Sequence, residues 1–175
     1  SSGFFGTYTT HSDMKRWNRD AEAITESAEA IAAFASRYGF EYPQKEFRRN
    51  WEEITWNHHH DTLPGTSIHP SYNKSEAMYK RTIESSRKIA DEALKFFGSK
   101  IASRGEGMLA FNPTSSTRSQ TIVRDGKEYR FDNLEPYGYR FVAPSALGES
   151  GVDVSRDGRT IENADFRLVF DASRG

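Results

Sequence analysis

Residues 12–38 read SDMKRWNRDAEAITESAEAIAAFASRY, and this stretch decides the fold of the first half of the chain. Its apolar and small residues recur in alternating steps of four and three, at Trp17, Ala21, Ile24, Ala28, Ile31, Ala35 and Tyr38. That spacing places them on one side of an α-helix and is typical of a helix in a bundle or a coiled coil. Ser12 or Asp13 can cap its start, and Gly39 can take the left-handed conformation that ends many helices.

A helix with one apolar stripe needs partners, and the next segments supply two. The first should begin at Pro43, a favourable residue for a first helical turn, and end before Pro64 and Gly65. It repeats the same stepping at Phe47, Trp51, Ile54, His58 and Asp61. The second should span about residues 71–99, with a buried side made of Tyr72, Tyr79, Ile83, Ala90, Ala93, Leu94 and Phe97. Short loops between three long helices predict an antiparallel three-helix bundle.

After Gly105 the pattern changes from helical to alternating, which predicts antiparallel β-strands. Asp125-Gly126 and Asp157-Gly158 are typical of two-residue hairpin turns, because such turns demand positive φ. Residues 166–170 are a further predicted strand, followed by a turn. The predicted fold class is therefore α+β with segregated elements: a helical bundle over residues 12–102, then a β region over residues 103–175.

Composition narrows the classes of partner. The formal net charge is −1 over 175 residues, which argues against nucleic acid or an anionic membrane surface as a partner. No apolar run reaches the roughly 20 residues that a membrane helix needs, and the first residues have no signal-peptide features. The chain has no cysteine, so a bound metal would need nitrogen and oxygen ligands. A start without methionine and an abrupt end after a predicted strand suggest a piece of a longer polypeptide.

The segment NHHHDTLPGTS, residues 57–67, contains the side chains best suited to metal chemistry. Neighbouring helical residues point about 100° apart, so three consecutive histidines cannot simply surround one ion. His58 and Asp61 would share the buried face of the second helix, which favours a hydrogen-bonded structural histidine. These residues would lie on the last turn of the helix or just past it, with His60 on another side together with Trp56. The pattern alone favours a polar helix end that complements the helix dipole. If His60 instead binds a metal, the other ligands come from outside this chain.

Trp56 is a large apolar residue on the side of the second helix that faces away from the bundle. Because the chain offers it no partner, the sequence predicts a second packing surface there, toward which His60 would project. Asp13, Asp20 and Glu22 are predicted to lie on a solvated helix face and to serve solubility and capping. Nothing beside them in the sequence favours a pair of catalytic carboxylates.

The segment HHDTLPGTS, preceded by Trp56-Asn57 and followed by Ile68, resembles the signature of the metal-dependent retaining α-mannosidases of glycoside hydrolase family 38. That signature commonly reads Asn-Gln-x-His-Asp-x-Leu-Pro-Gly-Ser/Thr-x-Ile. GTYTTHSDMKRWNR, residues 6–19, is similar to the family's passage from the catalytic domain into the middle helical domain. GEGMLAFNPTSSTRS, residues 105–119, resembles the start of the family's large C-terminal β region.

This resemblance implies a domain order and a set of site residues. Residues 1–11 would be the tail of an upstream catalytic domain, residues 12–102 the middle domain, and residues 103–175 the beginning of a β-sandwich domain. His60 matches the metal-ligand histidine, and Asp61 matches the aspartate that hydrogen-bonds the mannose hydroxyls. His59 would support the site without binding metal, and His58 replaces the usual glutamine, which leaves its role open. The metal would be divalent, zinc or alternatively cobalt, and completed by residues outside this chain.

The family's nucleophile and acid/base carboxylate belong to the upstream domain, so no catalytic residue is expected in this chain and the chain alone should be inactive. The whole enzyme would hydrolyse terminal α-D-mannosyl residues of glycans or oligosaccharides by a retaining mechanism. The expected partners are the α-mannoside substrate and the remaining domains of the same polypeptide, and a homo-oligomer is left open. The Leu-Pro-Gly form of the motif is more similar to the microbial and cytosolic branch, which implies a cytoplasmic enzyme.

Two rival interpretations follow from the residues alone. One is a non-enzymatic interaction module in which the histidines form a polar helix end. The other is a self-contained metal hydrolase that uses His11, His58, His60 and Asp61. The second rival requires these four side chains to meet in one place.

Overall fold

The computed structural model describes residues 6, 9–101, 105–146, 153–154, 159–162, 166–171 and 173. Within them three helices precede a series of short strands. The helices are α1 (Ser12–Ser36), α2 (Gln44–Trp56) and α3 (His69–Gly98). The strands are β1 (Met108–Phe111), β2 (Arg118–Arg124), β3 (Lys127–Leu134), β4 (Tyr139–Val142), β5 (Ser145–Ala146), β6 (Asp153–Val154), β7 (Thr160–Glu162) and β8 (Arg167–Val169). The predicted α+β class, with the helices first, is confirmed.

Hydrogen bonds between helices fix their relative directions. Asn18 meets Tyr79 and Thr25 meets Ser86, so α1 and α3 run in the same direction. The side-chain amide of Asn50 donates to Ser86. Glu53 lies further along α2, and its carboxylate accepts a hydrogen bond from Thr82, which lies earlier in α3. Thus α2 runs against the other two helices, as the short loops predicted.

Four of the seven residues in the apolar stripe predicted for α1 are buried. They are Ala21, Ala28, Ile31 and Ala35, and the small alanine side chains let α1 lie close to α3. Trp17 and Ile24 are only half-buried, and Tyr38 lies beyond the end of the helix with 47% of its surface exposed. The buried residues of α1 outside the stripe include the polar Asn18 and Thr25, which hydrophobicity could not identify.

A small polar network crosses the bundle core. The hydroxyls of Thr25 and Ser86 lie 2.8 Å apart, and the side-chain amide of Asn50 donates to Ser86 at 3.0 Å. All three residues are buried and each comes from a different helix. Since a buried polar group is costly unless it is paired, this network favours one register of the three helices over others.

The β region consists of small antiparallel sheets. β1 pairs with β4, β2 with β3 and β3 with β5, and β6, β7 and β8 form a further sheet. The hairpin predicted at Asp125-Gly126 is confirmed, with φ of 52° and 70° at the two turn residues. The hairpin predicted at Asp157-Gly158 lies outside the described residues. A complete β-sandwich and the domain limits stay predictions.

Aromatic side chains join the strands to the end of the bundle. The ring of Phe34 lies 5.0 Å from that of Phe111, and the ring of Phe97 packs edge-on against Tyr139 at 4.8 Å. Leu109 also packs against the core formed by α1, α2 and α3. None of the helices in the described part of the chain is both long and apolar enough to cross a membrane.

Candidate functional site

The histidine run lies in a loop, residues 57–67, that joins α2 to α3. Helix α2 ends at Trp56, and His58 to Asp61 follow in successive turns rather than in a continued helix. The prediction that these residues lie on the last helical turn or just past it is correct in its second form, but His60 does not share a helical face with Trp56, because the helix stops four residues before it. His60 nevertheless points away from the bundle, with 83% of its side chain exposed.

Contacts at its C-terminal end hold this loop against the beginning of α1. The ammonium group of Lys15 donates to the carbonyl oxygens of Thr10 and Pro64, at 2.6 and 3.0 Å. Gly65 has a φ of +98°, a conformation that side-chain-bearing residues rarely adopt. The backbone N–H of Ser67 donates to the hydroxyl of Tyr72 at 2.6 Å. The part of the loop that contains Pro64 and Gly65 is therefore held by Lys15 in α1 and by Tyr72 in α3.

The N-terminal end of the loop is held by His58. Its Nε2 atom lies 2.9 Å from Oδ1 of Asn18 and 3.2 Å from a carboxylate oxygen of Glu22. The hydrogen bond predicted for His58 is found, but its predicted burial is wrong, because 39% of its side chain is exposed. Glu22 was predicted to serve only solubility and capping, and this is wrong because its carboxylate faces the imidazole.

The three residues that follow bring their ligand atoms together. His59, His60 and Asp61 each offer one nitrogen or oxygen atom, and these atoms lie within 4.8 Å of one another. Nε2 of His60 is 3.5 Å from Oδ2 of Asp61, and the other carboxylate oxygen accepts the hydroxyl of Thr66 at 3.2 Å. The backbone N–H of Asp61 donates to Nδ1 of His59 at 3.3 Å, which leaves Nε2 of that ring for another partner.

This donor set fits a divalent metal such as zinc. Two imidazoles and a carboxylate are ligands that zinc prefers when cysteine is absent, and a zinc site needs three or four such groups. The cluster is open to solvent on its outer side, so ligands from elsewhere can reach it. His60 is more exposed than Asp61, whose carboxylate is held by Thr66.

The four-residue metal site of the rival hydrolase is not assembled. Among the described residues, the group suited to a metal contains neither His11 nor His58. The ring of His11 stacks on Tyr72 with 3.9 Å between centroids. His58 is turned toward Asn18, as described above.

A cleft borders the cluster on the α3 side. It has a volume of about 340 Å³ and is lined by Trp56, His59, Thr62, Ser67, Ser71, Lys74 and Ser75. Trp56 is 67% exposed, and the ammonium of Lys74 lies over its ring, 5.5 Å from the ring centre. Ile68, next to Ser67 in the chain, is 70% exposed. Trp56 therefore lies outside the bundle core, and the second packing surface predicted there stays a prediction.

Sequence reasoning missed the residues that support the loop. Asn18, Glu22 and Tyr79 come from α1 and α3, far from the motif in the chain. A usable signal was the spacing of Asn18 and Glu22, because residues four apart share one face of a helix. Nothing in the sequence indicated that this face would meet His58.

Comparisons with known proteins agree with these features. The family model described as "Alpha mannosidase middle domain" matches residues 3–97. The chain is 35% identical over 65 residues to "Alpha-mannosidase 2C1" of Mus musculus, a match covering 36% of this chain and 6% of that protein. It is 31% identical over 99 residues to "Alpha-mannosidase" of Saccharomyces cerevisiae, covering 54% of this chain and 9% of the relative.

The fold is also shared with solved structures. A crystal structure of an alpha-mannosidase from Enterococcus faecalis superposes with a TM-score of 0.78 at 14% identity, covering 96% of this chain and 28% of that one. A second structure from the same species, of a protein in the glycosyl hydrolase family 38, gives a TM-score of 0.74 at 14% identity, with 96% and 29% covered. The chain therefore spans well under a third of these proteins. Because the family model covers more than half of the chain, this protein belongs to the alpha-mannosidase middle domain family.

Proposed function

We propose that this chain is part of an α-mannosidase that hydrolyses terminal α-D-mannosyl residues of glycans or oligosaccharides. The family match supports the enzyme class. The observation that carries the proposal is the position of His60 and Asp61, displayed on a loop that Lys15 and Asn18 of α1 and Tyr72 of α3 hold in place. In this proposal the chain supplies one edge of an active site, and other domains of the same polypeptide supply the remainder.

His60 is the proposed metal ligand of this chain. Its imidazole is exposed and points away from the bundle, so it can join ligands from another domain. His59 lies beside it, with 4.3 Å between ring centroids, and we assign it a supporting role. A bound divalent metal, zinc or alternatively cobalt, would polarise the sugar hydroxyls that it binds.

Asp61 is the proposed substrate-binding residue. Thr66 holds one carboxylate oxygen, and the other faces the solvent side next to His60. A carboxylate fixed in this way can accept hydrogen bonds from adjacent hydroxyls of a mannose ring. Such bonds orient the sugar relative to the metal without taking part in bond cleavage.

The nucleophile and the acid/base residue of the retaining reaction are proposed to lie outside this chain. The chain alone is then expected to be inactive, and its principal partner is the remainder of the polypeptide. The exposed Trp56 and Ile68 beside the site are suited to packing against that partner. A cytoplasmic location is a further part of the proposal, supported by the Leu-Pro-Gly form of the motif, whereas a homo-oligomer is left open.

The test compares the longer polypeptide with this chain, each as wild type and as His60→Ala. His69→Ala is a matched control, because His69 is exposed at the start of α3, away from the cluster. We expect bound metal and hydrolysis of p-nitrophenyl α-mannoside in the longer polypeptide only, both lost in His60→Ala and kept in His69→Ala. Stoichiometric metal in this chain alone would favour a self-contained site. Activity indifferent to His60 would overturn the proposal.

A further inference from the structure

His58 is the one histidine of the run whose ring turns toward the bundle. Its Nε2 atom meets Oδ1 of Asn18 at 2.9 Å, whereas His59 and His60 face outward. The hydroxyl of Tyr79 donates to the same oxygen at 2.9 Å. Asn18 is 9% exposed and Tyr79 is 1% exposed, so His58 is attached to buried, well-packed residues.

The hydrogen-bond pattern fixes the roles of these atoms. Burial and the nearby Glu22 carboxylate raise the pKa of the Tyr79 phenol, which therefore keeps its proton and acts as a donor. The Asn18 oxygen is then an acceptor for two groups, and His58 must carry hydrogen on Nε2 to bond it. The Glu22 carboxylate, 3.2 Å from the same nitrogen, favours that tautomer.

The anchor matters because of what lies next to it in the chain. Only His59 separates His58 from His60. The other side of the motif is held by the bonds from Lys15 to Pro64 and Thr10. The segment between these two attachments contains every residue of the candidate metal cluster.

An attached loop should bind its ligands better than a free one. Binding geometry must be held within about 0.5 Å for a productive site, and supporting hydrogen bonds provide that restraint. A loop ordered before binding also loses less conformational freedom when the metal and sugar arrive.

We propose that His58 is a positioning residue: its hydrogen bond to Asn18, which Tyr79 supports, sets the loop so that His60 and Asp61 are ready for metal and mannose. His58 touches neither ligand. This inference rests on the proposed function and extends it to a residue that departs from the glutamine common in the motif. Glutamine has an N–H donor at the end of its side chain and can serve the same acceptor.

The test uses the longer polypeptide with His58→Leu, His58→Gln and Tyr79→Phe. Zinc affinity is measured by competition with a chelator, and kcat and KM are measured on p-nitrophenyl α-mannoside. His58→Leu should weaken zinc binding about tenfold, as loss of a supporting contact commonly does, and should lower kcat/KM. His58→Gln should restore both to within about threefold of wild type. A purely structural role would lower the melting temperature and leave the zinc affinity of the folded protein unchanged.

Tyr79→Phe keeps the inference testable if His58→Leu fails to fold. It removes only the hydroxyl and keeps the buried ring, and it should weaken zinc binding by a smaller factor, about threefold. Unchanged zinc affinity and kinetics in His58→Leu, or in Tyr79→Phe where His58→Leu does not fold, with His60→Ala inactive, would overturn this inference and leave the proposed function intact. An active His60→Ala enzyme would instead overturn the proposed function, and this inference with it.

Discussion

A Cβ atom built on Gly65 would lie 2.9 Å from the carbonyl oxygen of Thr10, which lies two positions before the first residue of α1. Two requirements therefore coincide at this glycine. Its φ of +98° disfavours any side chain, and the Thr10 backbone leaves no room for one. The glycine of the Leu-Pro-Gly portion is thus required both by the turn and by the close packing of the loop against Thr10.

We expect Gly65→Ala to lower the free energy of unfolding of this chain by about 2–3 kcal/mol, because backbone strain and a steric clash add together. Gly126→Ala is the matched control: its φ is +70°, but a Cβ there meets nothing within 4 Å. The control should lose about 1 kcal/mol. Urea unfolding followed by circular dichroism measures both variants, and equal losses would show that Thr10 yields without cost.

The network of Thr25, Asn50 and Ser86 should make Ser86→Ala destabilising. Removal of its hydroxyl takes a partner from two buried groups, and we expect a loss of about 1–3 kcal/mol in the free energy of unfolding. Ser27→Ala, which removes only a bond to Ala23 within α1, should cost less than about 0.5 kcal/mol. The double variant Thr25→Val with Ser86→Ala should lose less than the sum of its single variants. Additive losses would indicate that the hydroxyls do not interact.

Tyr79 should make the bundle less stable in alkaline solution. Its pKa in the folded chain is raised from the ordinary 10.0, by burial first and by Glu22 second. Its contribution to stability is complete below about pH 10 and is lost above it, where the unfolded chain releases the proton and the folded chain retains it. The slope approaches about 1.4 kcal/mol per pH unit. Tyr79→Phe should remove this component, whereas Tyr38→Phe, at an exposed tyrosine, should keep the wild-type profile.

Trp56→Ala should show whether the Trp56 side chain stabilises the isolated chain or its contact with other domains. Because the side chain is 67% exposed, the isolated chain should change by less than about 0.5 kcal/mol. In the longer enzyme the same variant should lower the melting temperature by several degrees, since buried aromatic contacts dominate many interfaces. Val123→Ala, at an exposed site in β2, is the control for both proteins. Equal effects of Trp56→Ala on the isolated chain and the longer enzyme would contradict a docking surface.

The local sequence pattern was sufficient to predict the helices and the hairpin at Asp125-Gly126. The steps of four and three located α1, and Pro64-Gly65 limited the reach of α2, because periodicity and backbone restriction act over a few residues. The end of α2 at Trp56 was predicted less well. Helix ends depend on capping contacts, and here the loop combines bonds to its neighbours in sequence with bonds to Lys15 and Asn18 of the distant helix α1.

For the candidate site too, the sequence predicted residue types, and the structure showed which of those residues come together. The residue types in the motif sufficed to select His60 and Asp61 as candidates, since imidazole and carboxylate side chains carry metal chemistry wherever they occur. The structure adds that His59, His60 and Asp61 converge while His11 and His58 do not. That distinction needs distances across the fold.

By itself the sequence determined which elements form and which side chains could act, because helix periodicity, turn chemistry and ligand type are properties of neighbouring residues. Only the tertiary structure decided that Asn18, Glu22 and Tyr79 hold His58. In the sequence, Asn18 lies 40 positions from His58 and 61 positions from Tyr79. They arise from the packing of three helices, whose register is set by the whole core and not by any single segment.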